Sequence, residues 1–217
     1  VSRNGIYDNK FYNVMEGIGD LFLLNVIFIL FCLPVFTIGA ALSALIDVTR
    51  RMERKEAPAV IRTFYRHFRD HFQSNTKIWG VMLAAGILLG FDIWFGINID
   101  NSLRVILLLF CGVFGAVYIW VLIFCFPVSL TFHTSVKETI RKSAMIAVIN
   151  LPTTLLLGVL YFAPAVFILL RPVLLLYLLP IIIAFGFSGI HYVSAHFLNK
   201  VMSAYEVPED GKRSPPS

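Results

Sequence analysis

Charge is scarce in this chain. Only 14% of its 217 residues are Asp, Glu, Lys or Arg, against about 25% in an average soluble domain. Hydrophobic residues make up 58%. A soluble domain of this length has too little interior to bury that much apolar surface. The shortage therefore argues against an ordinary globule and for a bilayer, whose lipid tails replace the missing core. Cysteine is sparse as well. Cys32, Cys111 and Cys125 are odd in number and lie in apolar runs, which excludes a disulfide framework and leaves them as small packing residues. The chain lacks a phosphate-cradling Gly-Lys-Ser/Thr loop and a nucleophile elbow, so it reads as neither an ATPase nor a typical hydrolase. His67 and His71 have helical i, i+4 spacing but no third ligand nearby, and His191 and His196 are five apart, on different helix faces. A net charge of +5 raises the question of nucleic acid, yet no basic stripe or recognition motif accompanies it. The expectation is no enzyme, no cofactor, no metal and no nucleic-acid partner.

What the chain does have is organised around 47–77. This polar stretch holds eight of the eighteen Lys and Arg residues: Arg50, Arg51, Arg54, Lys55, Arg62, Arg66, Arg69 and Lys77. Apolar runs flank it, and basic loops resist translocation. Five runs have spanning length, roughly 20 residues for a helix: 21–46, 78–97, 105–132, 145–170 and 173–197. Since lipid leaves no partner for an open strand edge, helices are expected. The fold class is thus all-α, a polytopic membrane bundle of about five transmembrane helices forming one domain over 1–206. With 47–77 in the cytoplasm, the N-terminus lies outside and the C-terminus inside. Lys and Arg then number 14 inside and 4 outside. The first run reads as a retained span, because it is too long for a cleaved leader and acidic residues precede it.

Smaller elements follow from spacing. Phe11, Val14, Met15 and Ile18 predict a short surface helix before the first span. Pro58 opens a second amphipathic helix that runs to Phe72. Its apolar face carries Ile61, Phe64, Phe68 and Phe72, with Tyr65 beside them and basic residues around the rest. This is a cytoplasmic surface helix, either lying along the inner leaflet as an anchor of the bundle or presenting those five residues as a candidate partner-docking face. The tail 207–217 has nothing to bury and is expected to be disordered.

Polar residues inside apolar runs are costly and are the default functional candidates. They are Asn25, Asp92 and Asn150, with Asp20 at the outer interface and His191 in the last run. Each also has a simpler reading as a helix cap or inter-helix hydrogen bond. Gly17-Ile18-Gly19-Asp20 spells the Gly-x-Gly-Asp signature of intramembrane aspartyl proteases, but it precedes the spans instead of lying within a later one. Gly39 with Ser43, Gly86 with Gly90, and Gly112 with Ala116 form small-xxx-small pairs suited to close helix approach. Prolines interrupt every run but the second. Phe31-Cys32-Leu33-Pro34-Val35 recurs as Phe124-Cys125-Phe126-Pro127-Val128, a short internal repeat read either as duplication or as a shared helix-end solution.

A family resemblance rests on Phe11-Tyr12, Met15-Glu16 and Gly19-Asp20-Leu21-Phe22-Leu23-Leu24-Asn25, then on Cys32-Leu33-Pro34-Val35-Phe36-Thr37-Ile38-Gly39-Ala40. It continues through Phe64, Phe68, Phe72, Ile78-Trp79 and Asp92, and returns at Phe126-Pro127, Lys142-Ser143-Ala144 and Asn150-Leu151-Pro152-Thr153-Thr154-Leu155-Leu156. In these residues the chain resembles the YesL-like bacterial membrane proteins, a family of unknown function. The resemblance implies a multi-pass protein of a bacterial cytoplasmic membrane. It also implies a link to sugar uptake, because such proteins are often encoded beside carbohydrate ABC importers. It supplies no catalytic residues, and its recurrent positions are Asp20, Asn25, Pro34, Gly39, Asp92 and Asn150. The functional expectation is an accessory or regulatory protein of carbohydrate ABC import, with the importer's permease or ATPase as partner. The alternative is a stand-alone small-solute transporter or channel using Asp92, Asn150 and the broken helices.

Overall fold

The computed structural model describes residues 4–56, 59–99, 103–132, 134–171 and 173–205, and every regular element among them is helical. Helix α1 spans Asn4–Cys32. Pro34 stops it, since a residue before proline is pushed out of helical geometry. A single 3-10 turn, Val35–Thr37, redirects the chain into α2, Ile38–Glu53. The Thr37 hydroxyl lies 2.5 Å from the Phe31 carbonyl and 2.6 Å from that of Pro34. It thus serves the Phe31 carbonyl, which the helix end leaves without an intrahelical donor. Then come α3, Val60–Asp70, α4, Phe72–Asn98, and α5, Leu103–Phe132. The chain closes with α6, Val136–Ile149, α7, Leu151–Leu170, α8, Val173–Ile181, a π-helical segment Ile182–Gly186, and α9, Phe187–Ser203.

Five stretches are long and apolar enough to cross a membrane: Met15–Cys32, Phe72–Asn98, Leu103–Phe132, Leu151–Leu170 and Leu175–Ser203. Their exposed surface is apolar, with Ile87, Leu88 and Phe91 on α4, and Leu109, Phe110 and Val113 on α5. Such a face suits lipid tails and is poorly suited to water. A multi-pass membrane protein accounts for it.

Burial concentrates elsewhere. α2 is the hub, touching α1, α3, α4, α5 and α9. Gly39, Ala40, Ala41, Ser43 and Ala44 are all buried, and their small size is what lets neighbouring helices close around one short helix. Leu45, Val48 and Phe64 join Leu24 and Phe28 in a core beneath α3. Ile46, Ile78, Val121 and Phe126 form a second core on the other side of α2. A third, around Phe124, Ala147, Leu157 and Leu198, ties α6 and α7 to α9. At the α4–α5 contact, Ser129 donates to the Asn75 side chain at 2.9 Å, both residues being buried.

The structure corrects several expectations. The run 21–46 is one spanning helix and the beginning of another helix, because Pro34 breaks it. The run 145–170 divides at Asn150, just before Pro152 enters the first turn of α7, so the span begins at Leu151. In 173–197 the helix changes to π geometry two residues after Pro180, whose missing N–H disrupts the regular ladder. The polar stretch 47–77 is mostly folded helix, supplied by α2, α3 and the first turns of α4. The N-terminal surface helix does not exist separately, since α1 is continuous from Asn4. The helix expected over 58–72 is α3, whereas Pro58 and the tail 207–217 lie outside the described residues. The two repeat copies take different conformations. The first ends α1 at partly buried Phe31 and Cys32 and passes into exposed Leu33, Pro34 and Val35, whereas the second is buried inside an unbroken α5.

The glycine pairs also divide. An added Cβ on Gly39 would overlap the Trp79 Cβ and stand 2.8 Å from the Asn75 carbonyl. One on Gly86 would meet the Tyr118 hydroxyl at 2.7 Å, whereas Gly90 and Gly112 face open space. Gly39→Val should therefore force α2 from α4 and cost about 1–3 kcal/mol by overpacking, lowering the thermal midpoint by several degrees. Gly112→Ala should leave it nearly unchanged. Equal midpoints for the two variants in a detergent melting assay would refute the close α2–α4 contact.

Candidate functional site at the basic end of the bundle

Asn25 is fully buried on α1 and reaches the π segment. Its Nδ2 donates to the carbonyls of Ile182 and Ile183 at 3.2 and 2.6 Å. Its Oδ1 accepts the backbone N–H groups of Phe187 and Ser188 at 3.0 and 2.9 Å. A π segment shifts the hydrogen-bond register and leaves backbone groups to be served from outside. In lipid nothing but protein can serve them. Asn25 is thus the clamp of the last span. Asn150 holds a joint, its side chain donating to the Ile146 carbonyl at 3.1 Å while its own carbonyl accepts the Thr154 hydroxyl at 3.0 Å.

The carboxylates are not brought together. Asp20 is half-buried on α1, Asp92 is exposed on α4, and those helices do not touch among the described residues. That separation removes the paired-carboxylate reading of the Gly-x-Gly-Asp motif. Pro34 and Gly39 act through the backbone, as the stop of α1 and the close approach of α2.

Polar side chains converge instead where α2 ends. Arg51 Nε contacts both carboxylate oxygens of Asp47, at 3.0 and 3.1 Å, and its guanidinium lies 3.5 Å from Glu56. His67 stands on α3 between the Ser43 hydroxyl, 3.1 Å from Nε2, and Asp47, 3.6 Å from Nδ1. The ring of His71 lies 4.6 Å from that of His67, centroid to centroid. Across the α2–α9 seam, Arg50 Nε donates to Asn199 Oδ1 at 2.7 Å, and Asn199 Nδ2 donates to Glu53 at 2.6 Å. His196 Nδ1 is 3.0 Å from the other Glu53 oxygen. The Asn199 hydrogen bond, followed by that from His196, holds the Glu53 carboxyl below its usual range. A cavity of about 370 Å³ opens here, lined by Arg50, Arg51, Arg54, His67, His71 and Thr131 among others.

α3 turns two faces to two environments. Phe64 is fully buried, and Phe68 packs on the same core. Their rings meet Phe31 at 5.5 and 4.8 Å. These two members of the expected docking face are occupied by the bundle, and Phe72 starts α4 in contact with Phe68. Ile61 and Tyr65 are more than half exposed, beside exposed Arg62, Arg66 and Arg69.

Sequence reasoning missed the seam residues Arg50, Glu53 and Asn199, whose side chains meet across about 146 positions of chain. It also missed the trio in which partly buried Tyr161 donates to Ser194 at 2.8 Å and lies 3.1 Å from His191 Nδ1. The one usable signal was His191 itself, a polar residue inside an apolar run.

Asn25→Leu should leave four backbone groups of the last span without their partner. A net loss of about 2–3 kcal/mol is expected, since inter-helix polar contacts in membranes contribute about 1 kcal/mol each. Amide exchange at 182–188 should rise more than in α4. Uniform exchange in both regions would contradict the clamp.

Neither a curated protein nor a solved structure matches this chain. Residues 21–93 match the family model described as a protein of unknown function, DUF624. That stretch contains Asn25, Pro34, Gly39 and Asp92, all of α2 and α3, and every arginine of the basic end.

Proposed function

We propose that this chain is a non-enzymatic accessory or regulatory protein of a carbohydrate ABC importer in a bacterial cytoplasmic membrane. The basic end faces the cytoplasm in this reading, as expected when positive charge gathers at one end of the spans. One observation carries the docking role. α3 is fixed to the bundle by Phe64 and Phe68, yet it presents Ile61 and Tyr65 outward among Arg62, Arg66 and Arg69. A helix already ordered by its inner face loses little entropy when its outer face binds. Exposed aromatic and arginine side chains are typical of interface anchors. The importer as partner rests on the YesL-like resemblance, and the missing nucleotide loop fits a subunit that leaves ATP hydrolysis to another chain. The transporter reading is less well supported, because Asp92 is exposed on α4 and Asn150 sits in the α6–α7 joint. Neither lines the cavity at the basic end.

The test is a gentle detergent pull-down of the tagged protein with quantitative mass spectrometry. The native chain should recover importer permease or ATPase near stoichiometry. Ile61→Asp with Tyr65→Asp should cut that recovery at least tenfold while membrane insertion persists. Unchanged recovery would remove α3 as the docking face. A partner-free species that supports solute flux in vesicles would replace the accessory reading with the transporter.

A further inference from the structure

We propose that the cavity at the end of α2 is a binding site for a phosphate monoester. Arg50 and Arg51 in the last turn of α2 and Arg54 just past its end all line it, together with His67 of α3 and His71 at the α3–α4 junction. Two carboxylates, Asp47 and Glu56, also line it. Both are in contact with Arg51, and Asp47 faces His67 as well. Among the described residues, and with neutral histidines, the three arginines and two carboxylates of the lining sum to +1. Protonation of either ring raises that value.

The site is built in advance of any ligand. Arg50 is only 7% exposed, and Asn199 of α9 braces its Nε at 2.7 Å. Ser43 holds His67 from behind at 3.1 Å. Cationic side chains fixed during folding lose little entropy on meeting an anion. Guanidinium groups match phosphate oxygens in geometry and charge. A phosphate monoester offers three acceptor oxygens at tetrahedral angles, which suits donors arriving from both α2 and α3 better than a planar carboxylate would. The volume falls in the range of roughly 300–1,000 Å³ usual for small-ligand sites, so the phosphate can carry an organic group. That group belongs either to a soluble metabolite or to a lipid whose headgroup enters from the membrane side.

The experiment is thermal melting of the full chain in detergent, with inorganic phosphate or glycerol 3-phosphate titrated at constant ionic strength. A saturable rise in midpoint is expected. Arg54→Ala and His71→Ala should each weaken the apparent affinity at least tenfold. Arg62→Ala, an exposed arginine on α3 that does not line the cavity, should leave it unchanged. A second arm uses nanodiscs with or without phosphatidic acid. If the headgroup is the ligand, phosphatidic acid will raise the midpoint of native protein but not of Arg54→Ala, and will block the soluble probes. If the ligand is soluble, the probes will act equally in both nanodiscs. The proposal is overturned if no probe saturates in either arm, or if Arg62→Ala loses as much affinity as Arg54→Ala. Neither result bears on the docking face, which uses Ile61 and Tyr65.

Discussion

Close packing around α2 sets where α1, α3, α4, α5 and α9 sit. A helix of 16 residues contacts five others, and it can do so because one side of its first two turns is glycine, alanine and serine. Bulkier residues there would push α4 and α9 outward. The seam that positions Arg50 against Asn199 would then open, and α3 would lose the floor on which Phe64 rests. The basic end is thus a compact assembly set against a lipid-facing shaft. Its charged groups are ordered because the helix that carries them is buried.

A second requirement governs the spans. Helix ends, joints and irregular turns release backbone groups that lipid cannot satisfy, and at three of these places a side chain serves them. Thr37 serves the end of α1, Asn150 and Thr154 the α6–α7 joint, and Asn25 the π segment. At Pro127 the helix simply continues, with the Thr131 hydroxyl donating to the proline carbonyl at 3.1 Å. Of the polar residues within apolar sequence, Asn25 and Asn150 have this structural service.

Much of the architecture is legible in the residues. The long apolar runs locate the spans, and the clustered arginines mark one end of the bundle. The places where runs break are not legible in the same way. Pro34 and Pro127 have nearly the same neighbours, yet one ends a helix and the other does not, because tertiary packing decides whether a kinked ladder is held together. Periodicity likewise identifies the apolar face of α3 without saying what covers it. In the sequence Phe64 and Phe68 read as a face turned to the inner leaflet or to a partner, and contact with Phe31 of α1 makes them a packed floor instead. Asn25 stands out as a buried amide, but its partner segment lies 157 residues away and has irregular geometry that no local pattern announces.

Docking through Ile61 and Tyr65, and capture of a phosphate beside Arg54, both require the basic end to meet the cytoplasm. The most direct measurement is thiol labelling of Arg62→Cys in a background lacking Cys32, Cys111 and Cys125. An impermeant reagent should label it in inverted vesicles and, in intact cells, only after permeabilisation. Labelling in intact cells without permeabilisation would place α3 outside and contradict the account.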